Sequence, residues 1–173
     1  MKEPAEINSE LIKEELFKDW KKLHPNSFLS HFFAVLPSID FMSLSEDNWE
    51  LGFFDPESKK ITVFNRSNKN WVIKPADDVF KKETDSLEEL KLQEIKLKTE
   101  EAFARFQEES KNAFPKEVCG QGFLILQKWN GSTVWNFTFI TRTLKFANLK
   151  INANDGSLFE QNLIDLVDKK TGV

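Results

Sequence analysis

The stretch of sequence that decides the fold is residues 129–141, which read WNGSTVWNFTFIT. In it Trp135, Phe137 and Phe139 alternate with polar residues, and a period of two is typical of a strand with one buried face. Just before them, Asn130-Gly131 is the dipeptide most favoured in a two-residue hairpin turn. The stretch therefore predicts a β-hairpin that packs its aromatic side against a core.

Further strands are predicted on both sides of this hairpin. Residues 123–126 supply the strand before the turn, and residues 144–153 supply one after it. In the latter a slip in the alternation at Ala147-Asn148 predicts a bulge. An earlier three-stranded meander is predicted from a second set of short alternating runs, at 49–53, 61–64 and 71–73.

Helices are predicted in the remaining segments. Residues 8–23 carry apolar residues at helical spacing, namely Leu11, Ile12, Leu16, Trp20 and Leu23. The apolar run 28–36, FLSHFFAVL, lies between two prolines and is interpreted either as a helix that continues after a kink or as a short buried helix. The longest helix is predicted over 86–112, where Ser86-Leu87-Glu88-Glu89 has the pattern of a capping box. A short terminal helix is predicted over 158–167.

The order helix, three strands, helix, three strands, helix predicts an α+β fold in a single domain, residues 1–173. We expect an antiparallel sheet wrapped on the long helix. Two segments, 8–75 and 86–160, are candidate half-repeats of α-βββ type, because Trp49-x-Leu51-x-Phe53 and Trp135-x-Phe137-x-Phe139 have the same spacing.

The second half resembles the PepSY domain family. The resemblance covers residues 86–160 and depends on the aromatic hairpin and on a closing run, Leu149-x-Ile151-x-Ala153-x-Asp155-Gly156-x-Leu158. It implies a cystatin-like fold, in which a sheet wraps on a helix. PepSY domains are generally found outside the cytoplasm, on peptidase propeptides or membrane proteins. The Gln-x-Val-x-Gly loop with which cystatins contact proteases has no counterpart here, since Gly120-Gln121-Gly122-Phe123 matches it poorly.

Composition narrows the classes of function. The chain has 24 basic and 28 acidic residues, a formal net charge of -4 and one cysteine. We therefore expect no nucleic-acid partner and no disulfide. We find neither a secretory signal at the start of the chain nor an apolar run long enough to span a bilayer, so we expect no membrane association and a cytoplasmic location. The 17 Phe and 5 Trp, with no Tyr, predict a thick apolar core.

Three residues are the first candidates for chemistry. Cys119 could act as a nucleophile if His24 or His31 lay beside it, but a structural thiol is favoured. His24 precedes a proline and is interpreted as a helix terminus, where the ring meets the negative end of the helix dipole. His31 lies in an apolar run and is interpreted as a core histidine with its hydrogen bonds satisfied.

Acidic and aromatic residues give no specific site. Six acids are scattered over predicted loops and the chain end, Asp55, Glu57, Asp77, Asp78, Asp155 and Asp165. The segment 152–156 is interpreted as a turn and not as part of a calcium loop. Trp20, Trp49, Trp71, Trp129 and Trp135 could form a stacking platform beside Lys128, Arg142, Lys145 and Lys150, but alternation directs most of the rings inward.

We therefore expect no catalytic, cofactor-binding or metal-binding residues, and no enzyme activity. The expected function is that of a binding or regulatory module, with a protein or peptide held on an exposed sheet face or added as a strand at a sheet edge. Two alternatives stay open: an acidic chaperone-like adaptor that acts as a dimer, and a small-molecule pocket between helix and sheet. The oligomeric state is not predicted.

Overall fold

The computed structural model describes residues 1–74 and 87–166. One antiparallel sheet of eight strands, ordered β4-β3-β2-β1-β5-β6-β7-β8, dominates these residues. The strands are β1 Phe28–Leu36, β2 Glu50–Asp55, β3 Lys60–Ser67, β4 Asn70–Ile73, β5 Cys119–Trp129, β6 Ser132–Thr141, β7 Lys145–Asn152 and β8 Leu158–Asp165. The α+β class and the antiparallel sheet are thus confirmed.

Three helices accompany the sheet: α1 Pro4–Leu11, α2 Glu15–Leu23 and α3 Thr99–Ala113. Their buried side chains join those of alternate strand positions in one apolar cluster. In the second half of the chain, for example, Phe103 and Phe106 of α3 contact Phe137 with ring centroids 5.1 and 4.9 Å apart. The helices therefore cover one face of the sheet, which we call the helix face.

The sheet is built outward from its middle. β1 and β5 pair with each other at the centre, and each begins a four-stranded meander that runs to one edge. Helices come before both meanders in the chain, α1 and α2 before the first and α3 before the second. This order brings residues nearly a hundred positions apart into direct pairing, such as His31 with Gln127.

The hairpin and the first meander form as predicted. Asn130 and Gly131 both have positive φ, 46° and 78°, which a tight hairpin turn of the type favoured by Asn-Gly requires.

The bulge predicted at Ala147-Asn148 is wrong, because β6 and β7 pair there without a shift. The irregularity lies instead at Lys150/Ile151, on the side of β7 that faces β8.

The helix predicted over 28–36 is wrong, because these residues form β1. β1 is a central strand, paired with β2 on one side and β5 on the other. A central strand carries apolar residues on both faces, so its sequence is a continuous apolar run in which the period of two is lost.

The helix predicted over 8–23 is two helices. The first helix, α1, ends at Leu11, and the second, α2, begins at Glu15 after a short non-helical link. Ile7 and Leu11 of α1 are buried, as are Phe17 and Trp20 of α2. In an unbroken helix Leu11 and Phe17 would be about 120° apart around the axis. The break brings both onto the core. It leaves three other apolar residues of the predicted helix exposed, Ile12, Leu16 and Leu23.

The long helix predicted over 86–112 is shorter, because α3 begins only at Thr99. Ser86 lies outside the described residues. The segment before α3 is held to the sheet by backbone hydrogen bonds, from the Leu90 amide to the Leu29 carbonyl and from the Lys96 and Leu97 amides to the Ala153 carbonyl. These bonds require an extended path, with one 3₁₀ turn at Leu92–Glu94.

The terminal helix predicted over 158–167 is also wrong. Residues 158–165 form β8, whose backbone hydrogen-bonds to the N–H and C=O groups at the outer edge of β7. The preceding turn reverses the chain at Gly156, which has φ 74°. An apolar spacing of four to five residues in LFEQNLID favours a helix in the sequence, but the exposed strand edge of β7 outweighs this local preference.

Candidate functional site

The sheet has a second face, which is turned away from the helices, and we call it the open face. Side chains alternate between the faces, so pairing identifies its members. Two neighbouring rows cross β1, β5, β6, β7 and β8 on this face. The first row is Phe33, Ile125, Asn136, Lys150 and Glu160, and the second is Val35, Phe123, Thr138, Asn148 and Asn162.

The β1–β5 end of the two rows is apolar. Phe33, Phe123 and Ile125 are each partly exposed, and Val35 is 57% exposed. The rings of Phe33 and Phe123 are 5.9 Å apart between centroids and 31° from parallel. These four side chains form a contiguous apolar patch at the middle of the sheet.

The β6–β7 part of the rows is a hydrogen-bonded polar cluster. The Asn148 amide nitrogen is 2.7 Å from Asn136 Oδ1 and 2.8 Å from Thr138 Oγ1, and donates to both. Lys150 Nζ donates to Asn148 Oδ1 at 3.1 Å. Asn136 and Thr138 are nearly buried. Because a buried polar group is stabilised only when it is paired, this network fixes the orientation of the amides on the face.

The charge of Lys150 is compensated within the same face. Its side chain is 7% exposed and lies 2.8 Å from a Glu160 carboxylate oxygen. Its Nζ also lies over the Trp129 ring, 4.7 Å from the centroid. The hydrogen bond from Lys150, and then that from Asn162, lower the pKa of Glu160 below its ordinary value. The rows therefore present little net charge.

His31 lies on the same face, where β1 meets β2. Its Nδ1 is 2.8 Å from Ser30 Oγ, which in turn donates to the Gly52 carbonyl at 3.0 Å. The ring lies so close over Gly52 that a Cβ there would be 2.1 Å from His31 Cε1. Desolvation lowers the pKa of His31 to about 4. The imidazole is thus neutral at pH 7, held by Ser30 as a structural group.

A second arrangement pairs two residues that the sequence left apart. His24 Nδ1 is 3.0 Å from Asp55 Oδ2, and the rings of Trp20 and His24 stack with centroids 4.9 Å apart. Hydrogen bonds from His24 and then Ser58 lower the pKa of Asp55. An aspartate that orients a histidine is typical of a general base. Here, however, the nearby Ser27 hydroxyl donates to the His24 carbonyl and the Ser58 hydroxyl donates to Asp55.

Cys119 lies in an open groove of about 470 Å³ at the C-terminal end of α3. The groove is also lined by Ile39, Gln107, Lys111, Glu117 and Val118. Burial, and then the Glu117 carboxylate, raise the pKa of the Cys119 thiol. Neither histidine lines the groove: Cys119 pairs with Thr141 near one end of β5, and His31 pairs near the other. The arrangement needed for a Cys–His nucleophile is therefore not formed.

The scattered acids take turn and loop roles. Asp155 accepts hydrogen bonds from the Ser157 amide and hydroxyl, and Glu57 accepts one from Asn26. Asp165 ends β8. Asp77 and Asp78 lie outside the described residues.

The tryptophans do not form a common platform with the basic residues. Trp20, Trp49 and Trp135 are buried, and Trp71 lies beneath the Arg66 guanidinium. Lys128 and Lys145 form ion pairs with Glu94 and Glu117. Arg142 is exposed just after β6. In residues 1–74 and 87–166 no three His, Cys, Asp or Glu side chains are grouped to hold a metal ion.

Sequence reasoning missed the open face as a site. The alternation that marks Trp135, Phe137 and Phe139 as inward also marks Asn136 and Thr138 as outward, so this signal was present. Four more members come from β5 and β7, which the sequence also predicted as strands, whereas the members from β1 and β8 come from segments predicted as helices.

Comparison with known proteins assigns no family. No family model matches the chain, and no curated protein matches it. A solved structure of a candidate lipoprotein from Clostridium difficile 630 is similar, with a TM-score of 0.49 and 11% sequence identity over 86% of this chain and 90% of that one. A similarity of this size assigns neither family nor function. Among the described helices, none is both long and apolar enough to cross a membrane.

Proposed function

We propose that the protein is a non-enzymatic binding module that holds a protein partner on its open face. The observation that carries this proposal is the contiguous apolar patch of Phe33, Val35, Phe123 and Ile125 in the middle of that face. Soluble proteins that act alone rarely leave such a patch uncovered, because apolar surface in contact with water is costly.

The electrostatics of the face indicate what kind of surface it accepts. Lys150 is paired with Glu160, and Glu50 is paired with Lys74 at 2.9 Å. The partner surface that fits is therefore one that combines little charge with apolar side chains over the patch. A protein surface supplies this combination, whereas a nucleic acid backbone does not.

The size of the face is adequate for a protein interface. Five strands at about 4.8 Å spacing, each contributing about six residues at about 3.3 Å, give roughly 500 Å² of sheet. A specific interface buries at least about 500 Å² on each partner.

The absence of enzyme activity is part of the proposal. The feature most like a catalytic group is the His24–Asp55 pair. Neither hydroxyl beside it donates to the His24 ring, since Ser27 donates to the His24 carbonyl and Ser58 donates to Asp55. A general base needs a substrate group or a nucleophile within hydrogen-bond reach. The pair joins the end of α2 to the last residue of β2, which is a structural role.

The test replaces one residue of the apolar patch with an acid. Ile125→Asp places a charge at the centre of the patch, and Leu23→Asp is the matched control, because Leu23 is 79% exposed at the end of α2. We expect a hydrophobic dye, 8-anilinonaphthalene-1-sulfonate, to bind the native protein, to bind Ile125→Asp more weakly and to bind Leu23→Asp unchanged. In cross-linking within the source cells, a partner should be captured by the wild type and the control but not by Ile125→Asp.

Two results would overturn the proposal. One is a set of cross-linked proteins that is the same for Ile125→Asp and the wild type while Ile125→Asp remains folded by circular dichroism. The other is a wild-type protein that light scattering shows to be a dimer and that Ile125→Asp converts into a folded monomer. That outcome would favour the chaperone-like adaptor, which acts as a dimer, and would make the occupant a second copy.

A small-molecule pocket is the second candidate function, and the groove at Cys119 favours it. Its volume of about 470 Å³ is within the range of ligand sites, and Gln107, Lys111 and Glu117 offer polar contacts to an incoming molecule. A rise in the thermal midpoint with a metabolite library, abolished by Gln107→Ala, would support it. No rise with any compound would argue against this second function.

We also propose that the second half is a PepSY-like domain and that the two halves arose by internal duplication. In support of duplication, each half has a helix followed by a four-stranded meander, and the matched motifs lie on the equivalent second strands, β2 and β6. A relative that consists of one half would support the duplication. Relatives in which the halves differ in strand order would contradict it.

A further inference from the structure

The two edges of the sheet differ in how well they are protected against pairing with another strand. β4 has four residues, whereas β8 has eight. Natural edge strands are usually kept short or carry lysine or proline, because an unprotected edge is a template for a further strand. Residues 158–166 contain no Lys, Arg or Pro. The edge formed by β8 is therefore the less protected one.

The backbone of β8 presents a regular set of free hydrogen-bonding groups. The Leu166 amide donates to the Leu144 carbonyl at 3.0 Å, continuing the register in which Lys145 faces Asp165. Because antiparallel residues alternate, Ile164 and Asn162 also direct their N–H and C=O groups to β7. Gln161, Leu163 and Asp165 direct theirs away from the sheet, and no strand among the described residues pairs with them.

The side chains of this edge are unusually apolar for an exposed strand. Five large hydrophobic residues in or directly after β8 are more than one-third exposed: Leu158, Phe159, Leu163, Ile164 and Leu166. They lie on both faces of the strand. An added strand with apolar residues at alternate positions would therefore bury apolar surface as well as gain backbone hydrogen bonds.

The charge at the β8 edge indicates which kind of strand is complementary to it. Glu160 is paired with Lys150, while Asp165 has no ion pair to any described residue. Two copies of β8 placed side by side would bring together carboxylates from both and no cation. A strand that carries a lysine or arginine is complementary to the edge and to the net charge of -4.

We infer that β8 binds an extended, apolar and basic segment of another protein by strand addition. Main-chain bonds to Gln161, Leu163 and Asp165 hold the segment, and Asp165 pairs with its basic residue. This surface is the edge of the sheet, so the inference does not depend on what binds the open face.

The experiment uses the full chain and a labelled peptide of eight residues, with valine and lysine alternating. Leu163→Pro removes one outward N–H and leaves the bonds to β7 intact, since proline is tolerated at such an edge position. We expect it to weaken binding at least tenfold in fluorescence anisotropy, with little change in the thermal midpoint. Ile164→Pro is the matched control for folding, because it removes a bond to β7 and should lower the midpoint. Asp165→Asn should weaken binding several-fold and reduce its dependence on salt.

Hydrogen exchange by NMR gives an independent readout. On peptide binding, the amides of Gln161, Leu163 and Asp165 should gain protection, while those of Asn162 and Ile164 are already protected. The inference is overturned if no binding is seen up to 1 mM peptide, on the order of the weakest specific affinities. It is also overturned if a peptide of alternating valine and glutamate binds equally well, or if Leu163→Pro leaves binding unchanged. A third contrary result would be a dimer in light scattering whose outward β8 amides are already protected from hydrogen exchange without peptide.

Discussion

Glu3 caps helix α3 from a position 96 residues away in the chain. Its carboxylate accepts a hydrogen bond from the Thr99 backbone amide at 3.0 Å and another from the Thr99 hydroxyl at 2.7 Å. The first amides of a helix have no partner within the helix, so a carboxylate there satisfies them and favours the positive end of the dipole. The segment before α1 thereby fixes the start of a helix in the other half of the sheet.

Removal of this cap should destabilise the protein. We expect Glu3→Ala to lower the free energy of unfolding by about 1–2 kcal/mol, in the range of helix-cap replacements. Urea denaturation followed by circular dichroism measures this change. Glu15→Ala is the control, because Glu15 is exposed and forms a surface ion pair with Lys18 in the next turn, and it should change stability by less than about 0.5 kcal/mol. Equal losses in the two variants would contradict the capping role.

A methyl group at Gly52 should disturb the middle of the sheet. The added Cβ would meet the His31 ring at 2.1 Å, and overpacking of this kind costs about 1–3 kcal/mol. We expect Gly52→Ala to be destabilised by that amount in urea denaturation, and to lose most of the effect when combined with His31→Ala. A double-mutant cycle measures this coupling. Additive losses would show that the ring is not what excludes the methyl group.

The stability of the protein should depend on pH through His31. Its pKa is about 4 in the folded protein and about 6.5 in an unfolded chain. Between these values the unfolded state binds more protons, so stability falls as pH decreases from about 6.5 to 4, by up to roughly 3 kcal/mol. The carboxylates with lowered pKa, such as Asp55 and Glu160, begin to lose their contribution as pH falls to their ordinary values of 3.8 and 4.5, at the lower end of this window. Urea denaturation at several pH values should show a shallower slope in this window for His31→Gln than for the wild type.

Cys119 should react slowly with thiol reagents. Its thiol pKa is raised by burial and by Glu117, and the thiolate is the reactive form. At pH 8 we expect labelling with 5,5′-dithiobis(2-nitrobenzoate) to be slower in the native protein than in urea. Glu117→Gln should increase the native rate by a few-fold, because it removes a negative charge beside the sulfur. A native rate above the unfolded rate would indicate an activated cysteine.

The strands with alternating residues were predictable from the sequence, whereas β1 and β8 were not. In β6 aromatic residues alternate with polar ones, and in β2 Leu51 and Phe53 alternate with Glu50 and Gly52, so a period of two identified both strands. β1 is apolar on both faces, so it lacks the period and was interpreted as a helix. The apolar residues of β8 are exposed at an edge, and their spacing is also compatible with one side of a helix. In both segments, pairing with neighbouring strands outweighs the local sequence preference and makes the segment a strand.

The candidate site was predictable only in part for the same reason. Asn136 and Thr138 are outward in any alternating interpretation of β6. Their connection to Asn148, by contrast, follows from the register between β6 and β7, and the pairing of Lys150 with Glu160 requires β8 to be a strand. Likewise, His24 and Asp55 are 31 residues apart and come together only because α2 packs over the first meander.

The position of β1 and β5 at the centre of the sheet has a consequence for how the chain folds. Pairing within each meander joins strands that are neighbours in sequence, so these ladders close short loops and can form early. The β1–β5 ladder instead joins residues such as His31 and Gln127, and closing a loop of that length carries a larger entropic cost. We expect the docking of the two meanders to limit the folding rate, with the apolar central strand left unpaired on one side until that step is complete.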